Sequence, residues 1–378
     1  MKIAFFVAFG RPVTGDTLEK TGCGGSETAL INMARELQRL GNEVFVFNRC
    51  GDQHGNYAGV EYKDITELSA FLSAGHKLDV LVAFRDLEIL KIIGKNAAAF
   101  GIKKVVYWAH DDLSYLWEDA PRLADIGGRL KEFPDLILAV SQWQKNMYME
   151  KFGLSAEKIY VTRNGLNLDY YKEETEKVPH RLIYSSVPDR GLDILVELFP
   201  KIKEQVPTAS LEAFTSFAVY GTDTDTKLTD LFQAAKQAGI TFHPPKTQRE
   251  LAKEMEKSVL MVYPNHKSTL HPVFAETSCI TVLEAQAAGT PVITSNRGAL
   301  NESVVNGQTG ILIDGDPYSA EYQREFIKQT VALLKDNERR AQMSRQAKQR
   351  MFTEFGWDRI AKEWVEEFAT LIGSSGSL

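Results

Sequence analysis

Two carboxylates, Glu276 and Glu284, lie eight positions apart in the stretch FAETSCITVLEAQAAGTPVITS. If the connection is mostly helical, a rise of about 1.5 Å per residue separates their backbones by about 12 Å, which is too far for a paired acid and base. If a helix begins near Cys279, the free backbone amides of its first turn form an anion site between the two carboxylates. A nucleoside diphosphate sugar fits this layout, with Glu284 toward the ribose and Glu276 toward the sugar.

The residues that follow Glu284 predict where this helix ends. The small residues of AQAAG allow close helix packing, Gly289 can end the helix in a left-handed conformation, and Pro291 follows where the helix cannot continue. The spacing alone fits equally well an ordinary amphipathic helix with one solvated and one capping glutamate. The small residues favour the anion site over that alternative.

Composition limits the classes of protein to which the chain can belong. Its 378 residues, 44% hydrophobic and 25% charged, are ordinary for a globular protein with room for two hydrophobic cores. Its net charge of -6 excludes a global basic field that would gather nucleic acid or anionic lipid. We therefore expect no nucleic-acid partner, and no strongly basic amphipathic helix indicates contact with a membrane surface. Any phosphate site must be local.

The cysteines and the termini bear on location. Cys23, Cys50 and Cys279 show neither metal-ligand spacing nor a disulfide framework, which suits a reducing compartment. The opening MKIAFFVAFG is too short and too weakly charged for a signal peptide, and no apolar run reaches transmembrane length. We expect a cytoplasmic protein in which residues 374–378, within the closing GSSGSL, form a flexible tail.

Strand-like and helix-like runs alternate along the chain. In the first half, KIAFFVAF precedes the helical TALINMARELQRLG, and the strand-like NEVFVF, DVLVAF, KKVVYWA, DLILAV and KIYVTRNG follow. After a polar link the pattern restarts with RLIYSS and continues through ASLEAFTS, VLMVYP, PVITS and GILI. Such alternation predicts an α/β fold with parallel sheets between helices. We therefore predict two doubly wound, Rossmann-like domains, at residues 1–170 and 171–352.

Ligands of open α/β sheets bind beyond the carboxyl ends of the strands, and chemically active residues follow several predicted strands. Gly24 and Gly25 of GCGGSE would let a backbone approach a diphosphate or an acceptor with no side chain in the way. Arg85 and Asp86 follow DVLVAF. His110 begins HDD after KKVVYWA, a pattern that also suits a cap, a turn or half of a metal site. No second ligand cluster accompanies it, so a metal is the least favoured interpretation.

These segments together resemble a known family. ETSCITVLEAQAAGTPVITS is similar to the signature of the retaining GT-B glycosyltransferases of family four, in which two glutamates flank seven residues before a small-residue helix end. GGSETALINMARELQRLGNEVFVF, AVSQWQKNMYMEKFG, IYVTRNGLN and NESVVNGQTGILI extend the resemblance over nearly the whole chain. The resemblance implies a GT-B fold, with two domains facing each other across a cleft. FGWDRIAKEW is similar to the family's final helix, which crosses back to the first domain. Residues 353–373 would form it, with Trp357 and Trp364 buried on one face.

The resemblance assigns roles to the residues of the glutamate motif. Glu276 would contact the hydroxyls of the donor sugar and Glu284 the ribose, while the backbone near Ile280 and Thr281 would hold the pyrophosphate. Cys279 stands where family members usually have a glycine. A thiol at a helix start can have a lowered pKa, although a bystander thiol is the favoured interpretation.

Three further positions carry over from the family. SSVPDRG aligns with a pair of basic phosphate-binding residues, but only Arg190 is basic here, because Ser186 occupies the earlier position. Arg190 can donate to two phosphate oxygens and stabilise the leaving nucleotide, and Lys267 is a candidate for the missing charge. His110 is placed near the reacting carbon, where its ring or its backbone carbonyl would meet the donor sugar.

The implied activity is transfer of a sugar from a nucleotide diphosphate sugar, with UDP- or GDP-sugars as the expected donors, to an acceptor hydroxyl of a glycan, a lipid or a small molecule. The resemblance implies retention at the anomeric carbon, with no metal and no cofactor. A nucleotide-sugar epimerase of the same fold and an inactive nucleotide-sugar-binding subunit are the alternatives. His110, Arg190, Glu276 and Glu284 together argue against an inactive subunit, whereas Ser186 argues mildly for one. The sequence identifies neither the acceptor nor the oligomeric state.

Overall fold

The structure of the chain is a computed structural model that describes residues 1–173, 175–220, 226, 228–266 and 274–373. By their contacts, the residues form two compact units. The first consists of Met1–Leu18, Ser26–Gly165 and Trp357–Leu378, and the second of Glu19–Gly25 and Leu166–Gly356. Each unit is built on a sheet of its own.

The sheet of the first unit has the strand order β3-β4-β2-β1-β5-β6-β7-β8. Its strands are β1 (Lys2–Phe6), β2 (Glu43–Asn48), β3 (Gly55–Tyr57), β4 (Val60–Asp64), β5 (Leu78–Phe84), β6 (Ile102–Ala109), β7 (Leu136–Ala139) and β8 (Ile159–Val161). Neighbouring strands pair in parallel, apart from β3 with β4. The helices up to residue 165, and the last helix of the chain, are α1 (Thr17–Lys20), α2 (Gly25–Arg39), α3 (Glu67–Ser73), α4 (Glu88–Ile93), α5 (Ala120–Glu132), α6 (Gln142–Phe152) and α14 (Trp357–Gly373).

The central strands of this sheet are apolar along almost their whole length. Six of the seven residues of β5 are buried, and so are all four of β7. Continuous apolar runs of this kind are typical of a parallel sheet that is covered on both faces. Because parallel strands have their carboxyl ends at one edge, Arg85 after β5 and His110 after β6 lie along the same edge of the sheet.

The second unit contains a parallel sheet with the strand order β11-β10-β9-β12-β13-β14. Its strands are β9 (Arg181–Ser185), β10 (Ser210–Phe214), β11 (Thr241–His243), β12 (Leu260–Tyr263), β13 (Val292–Ser295) and β14 (Gly310–Ile313). Its helices are α7 (Leu192–Gln205), α8 (Thr229–Gln237), α9 (Gln248–Lys257), α10 (Ile280–Ala287), α11 (Leu300–Ser303), α12 (Ala320–Lys335) and α13 (Asn337–Glu354).

The ends of two helices in this unit follow from local sequence. A capping box of Thr247 and Glu250 begins α9, because each side chain accepts a hydrogen bond from the other's backbone amide. Gly289, which follows the end of α10, has a φ of +62°, and a Cβ added there would lie 2.8 Å from Ser344 Oγ. The prediction of a left-handed glycine at this helix end is confirmed.

Helix α14 packs into the core of the first unit. Trp357 and Trp364 expose 2% and 0% of their surfaces, so their predicted burial is confirmed. The indole Nε1 of Trp364 donates a hydrogen bond of 2.8 Å to Thr162 Oγ1, and its ring lies 4.6 Å from that of Trp108. The last helix of the chain therefore forms part of the same hydrophobic core as the strands of the first unit.

The predicted fold class is confirmed, since the chain contains two Rossmann-like parallel sheets. Each strand run quoted above forms a strand. The sequence analysis missed β3, β4 and β11, which have only three to five residues and lie at or next to a sheet edge. Their pairing depends on neighbouring strands more than on an apolar pattern of their own. Throughout the described residues, each helix is too short or too polar to cross a membrane.

Candidate active site

The loops that follow β9 and β12 carry the predicted residues of the second unit. Ser186 and Arg190 follow β9, and Glu276 lies between β12 and α10. The two loops approach each other closely at Gly191. Its φ is +121°, and a Cβ added to it would lie 2.5 Å from the carbonyl oxygen of Pro264. A side chain at this position would therefore push the loops apart.

Glu276 is buried and firmly held, with 5% of its surface exposed. Its Oε1 accepts a hydrogen bond of 2.6 Å from the hydroxyl of Tyr263 and lies 3.4 Å from Nη1 of Arg190. Its backbone carbonyl accepts a hydrogen bond of 2.7 Å from the amide of Ala299. Both the backbone and the carboxylate of Glu276 are thus fixed from within the second unit.

Arg190 contacts an aromatic ring as well as Glu276. Its guanidinium carbon lies 4.2 Å from the ring centroid of Phe274, within the range of a cation–π interaction. The side chain is 26% exposed, so the protein covers it only in part. Arg190 is therefore placed to donate to an anion beside Glu276.

Glu284 lies in α10 and is 4% exposed. Its Oε1 accepts a hydrogen bond of 2.7 Å from Nε2 of Gln248, the first residue of α9. Burial raises the pKa of Glu284 to about 7, and the bond from Gln248 only partly opposes that shift. Near neutral pH, this carboxyl group is therefore divided between its charged and its neutral form.

Helix α10 begins as the sequence analysis predicted, with Cys279 as its N-cap residue. The amides of Ile280 and Thr281 have no acceptor within the helix, because a first turn leaves its amides free. The Cys279 thiol lies 3.4 Å from Thr281 Oγ1. Burial, together with the Glu276 carboxylate, raises the pKa of this thiol to about 12. The raised pKa agrees with the favoured interpretation of a bystander thiol, since desolvation outweighs the helix dipole.

The remaining predicted positions of the second unit differ in what surrounds them. The Oγ of Ser186 lies 3.5 Å from the Tyr263 hydroxyl, so this position faces a phenol and carries no charge. Lys267, the candidate for the missing charge, lies outside the described residues. Gly24 is buried, and Gly25 is the exposed first residue of α2. A Cβ added to Gly25 would lie 3.4 Å from Cδ1 of Ile280.

In the first unit, His110 follows β6 and packs edge-to-face against Trp108 and Phe84, with ring centroids 4.7 Å and 5.0 Å away. Burial and the nearby Arg85 guanidinium lower the pKa of His110 to about 3. Its imidazole is therefore neutral at physiological pH and can serve in hydrogen bonding without adding charge.

A polar cluster lies next to His110. Arg85 donates two hydrogen bonds of 2.8 Å to the two carboxylate oxygens of Asp111 and one of 2.9 Å to Ser26 Oγ. Asp86, in contrast, accepts from the amides of Glu88 and Ile89 and so caps α4. Within the described ranges, no three His, Cys, Asp or Glu side chains are grouped as a metal site would require.

Two family models match the chain and divide it near its middle. The model described as Glycosyltransferase Family 4 matches residues 23–170, and the model described as Glycosyl transferases group 1 matches residues 181–350. Together they cover most of both units. The chain belongs to glycosyltransferase family 4.

Curated relatives of this family 4 chain include two inositol phosphate enzymes. A D-inositol 3-phosphate glycosyltransferase of Arthrobacter sp. (strain FB24) is 29% identical over 180 residues, which are 47% of this chain and 39% of the relative. A D-inositol 3-phosphate glycosyltransferase of Corynebacterium aurimucosum is 22% identical over an alignment of 412 positions. This alignment covers 95% of this chain and 92% of the relative. The match thus spans about two fifths of the first relative and nearly all of the second.

A solved structure shows the same fold as this family 4 chain. Anabaena HepE in complex with UDP-glucose superposes with a TM-score of 0.74 at 18% sequence identity, over 98% of this chain and 100% of that one. The likeness confirms the predicted GT-B glycosyltransferase fold.

Sequence reasoning missed several polar residues at the candidate site of this family 4 chain. Tyr263 ends an apolar strand, and Gln248 is the first residue of α9, and the sequence analysis assigned a role to neither. The partnership of Arg85 with Asp111 joins two loops that are 26 positions apart. The one available signal was position, since Arg85 and Asp111 follow the carboxyl ends of neighbouring strands.

Proposed function

We propose that this chain transfers a sugar from a nucleotide diphosphate sugar to an acceptor hydroxyl of a glycan, a lipid or a small molecule, with retention at the anomeric carbon. Family membership supports the reaction class. The observation that carries the proposal is that α10 begins between two buried carboxylates, one of which contacts Arg190. The donor consists of a sugar, a diphosphate and a ribose, in that order. The chain presents Glu276, then the first amides of α10, then Glu284, in the same order.

We assign the diphosphate to Arg190 and to the first turn of α10. The free amides of Ile280 and Thr281 lie at the positive end of the helix dipole. Arg190 adds charge-assisted hydrogen bonds that strengthen as the nucleotide leaves. Since these groups meet the negative charge of the diphosphate, the proposed transfer uses neither a metal ion nor a cofactor.

The proposed reaction is a substitution on one face of the sugar. The bond between the anomeric carbon and the phosphate oxygen breaks, the acceptor oxygen bonds to the same face, and the acceptor's proton passes to the leaving phosphate oxygen. Glu276 holds the sugar hydroxyls, and its negative charge favours the positive character of the anomeric carbon. His110 contacts the sugar as a neutral group.

A covalent glycosyl-enzyme on Glu276 is the mechanistic alternative. It is tested by quenching the enzyme with donor and measuring the mass of the peptide that contains Glu276. We expect the unmodified mass. A sugar-sized increment on this peptide would replace the single-step substitution with a double displacement.

The donor is tested first by thermal shift with UDP, GDP, UDP-glucose and GDP-mannose, because a ligand at a hundred times its dissociation constant adds about 2.7 kcal/mol of stability. UDP-glucose leads the panel because the solved HepE structure holds it. A chain that none of these compounds stabilises would contradict the proposed donor class.

Product analysis with donor alone separates the proposed function from its two alternatives. Slow hydrolysis is expected of a transferase, an isomerised sugar would identify an epimerase, and no reaction would identify an inactive binding subunit. With an acceptor present, nuclear magnetic resonance of the product shows whether the anomeric configuration is kept. Unchanged turnover in a chelator is the expected result for metal independence.

A further inference from the structure

The two carboxylate oxygens of Glu276 have different surroundings. Oε1 accepts the hydrogen bond from Tyr263 and lies near Arg190. Oε2 makes no hydrogen bond to any residue that the structure describes. A carboxylate that is held through one oxygen in this way keeps the other for a ligand.

Tyr263 forms the shortest contact to this carboxylate. It is the last residue of β12 and is completely buried, so its hydroxyl is positioned by the sheet itself. Burial and the Glu276 carboxylate raise the pKa of Tyr263 well above its ordinary value of about 10. The hydroxyl therefore keeps its proton at physiological pH and is the donor in the bond to Oε1.

A second buried residue orients the Tyr263 hydroxyl. Asn265, which is also completely buried, donates a hydrogen bond of 2.8 Å from Nδ2 to the Tyr263 oxygen. With its acceptor side occupied by Asn265, the hydroxyl directs its proton toward Glu276. Asn265 thus donates to Tyr263, which in turn donates to Oε1 of Glu276. In a low-dielectric interior, hydrogen bonds linked in this way strengthen one another.

Arg190 alone would hold the carboxylate less well. Its Nη1 lies 3.4 Å from Oε1, beyond the usual length of a charge-assisted hydrogen bond, and its side chain is partly exposed. The same guanidinium is assigned to the diphosphate, so its contact to Glu276 competes with the donor. Tyr263 is completely buried, and we assign it no contact with the diphosphate, so its hydrogen bond to Glu276 does not compete with the donor.

We propose that Tyr263 is a positioning residue that fixes the Glu276 carboxylate through Oε1, so that Oε2 alone is presented to the hydroxyls of the donor sugar. This inference rests on the proposed function and deepens it at the sugar end of the donor. It separates the sugar-dependent part of donor recognition, which depends on Tyr263, from the nucleotide-dependent part, which does not.

The test compares Tyr263→Phe with Tyr322→Phe. Both tyrosines are buried in the second unit, and the Tyr322 hydroxyl also makes a hydrogen bond, of 2.7 Å to Ser295 Oγ. Each substitution removes one buried hydroxyl with its hydrogen bonds: Tyr263 loses its contacts to Glu276, Asn265 and Ser186, whereas Tyr322 loses its contact to Ser295. Only the first substitution removes a contact to Glu276. Calorimetry then measures the affinities of UDP and UDP-glucose, and of GDP and GDP-mannose, for both variants and the wild type.

We expect Tyr263→Phe to bind the free nucleotide within twofold of the wild type and to lose about tenfold in affinity for the matching nucleotide sugar. Its kcat should fall by about tenfold or more. Tyr322→Phe should leave both quantities unchanged. Equal losses of nucleotide and nucleotide-sugar affinity in Tyr263→Phe would mean that the hydroxyl serves stability alone, and would overturn the inference.

A Glu276→Ala background sharpens the test. If Tyr263 acts through Glu276, adding Tyr263→Phe to Glu276→Ala should change sugar-dependent affinity no further. A second loss of tenfold in this background would overturn the inference. A wild type that binds no member of the panel would instead refute the proposed function, and the inference with it. Wild-type binding of nucleotide sugars with no effect of Tyr263→Phe would refute the inference alone.

Discussion

The surroundings of Glu276 and of Glu284 differ although the two side chains are equally buried, with 5% and 4% of their surfaces exposed. A phenol hydroxyl donates to Glu276, and a guanidinium lies close to it. The Glu284 carboxyl accepts a hydrogen bond from the side-chain amide of Gln248, and burial raises its pKa to about 7. Since the two side chains are equally buried, their hydrogen-bonding and charged neighbours account for the difference between the two carboxylates.

This difference matches the chemistry that we assign to each end of the donor. Positive character develops on the sugar during transfer, so a carboxylate beside a cation and a fixed hydroxyl donor suits the sugar end. The ribose does not change its charge, so its hydroxyls need an acceptor but no transition-state stabilisation. The comparison leads to separable kinetic roles, which substitutions can test.

The largest expected effect is that of Glu276→Ala. Removing the carboxylate should lower kcat by about a thousandfold, or about 4 kcal/mol of barrier, and should raise the Michaelis constant for the donor by a much smaller factor of about ten. Steady-state kinetics measures both parameters. Glu256→Gln is the matched control, because Glu256 is a buried glutamate of the same unit that accepts a hydrogen bond from Thr175. A Glu276→Ala enzyme with normal kcat would remove Glu276 from the reaction.

Arg190→Ala is expected to have the next largest effect. It removes the charge that we assign to the diphosphate, so donor binding should weaken and turnover should fall by roughly a hundredfold, or about 3 kcal/mol. Arg181→Ala serves as control, because Arg181 is ion-paired with Glu254 at 2.6 Å, away from the candidate site. Single-turnover rates that are the same in both folded variants would contradict the role of Arg190.

The sequence was sufficient for the fold class because the apolar strands alternate regularly with helices. It also predicted that a helix begins near Cys279, between Glu276 and Glu284, and that small residues mark the end of this helix. Tyr263 could not be found in this way, because a tyrosine at the end of a buried strand is ordinarily a core residue. Its hydrogen bond to Glu276 joins two residues thirteen positions apart, which no local pattern predicts.

The electrostatics of the site also depended on structure. The sequence places Cys279 at a helix start, which favours a thiolate, but the depth of burial that reverses this effect is a tertiary property. The same holds for His110, whose pKa falls because its ring is buried and because Arg85 approaches it from the end of a neighbouring strand. Residue type and position suggest which groups take part, whereas their protonation states follow from packing.

A smaller kinetic effect is expected for Glu284→Ala. The ribose should lose its acceptor, so the Michaelis constant for the donor should rise by about tenfold, or about 1.4 kcal/mol, while kcat stays within twofold. Initial rates over a range of donor concentrations give both values. If kcat fell as far as in Glu276→Ala, the two carboxylates would share one role, and the difference between their surroundings would have no functional meaning.

The last expected effect is on stability without ligand and leaves catalysis aside, and its size depends on pH. In the unfolded chain Glu284 loses its proton near its ordinary pKa of about 4.3, whereas in the folded chain it does so near 7. Between these values the folded state binds more protons, so the stability contributed by the neutral carboxyl is lost as pH rises through 7. Glu284→Gln has no proton to lose and keeps an acceptor for Gln248. We expect it to be more stable than the wild type at pH 8, by on the order of 3 kcal/mol, and nearly equal at pH 4, below the ordinary pKa of the unfolded chain. Thermal unfolding at the two pH values measures this, and a variant that gains no stability at pH 8 would show that Glu284 is already charged at little cost.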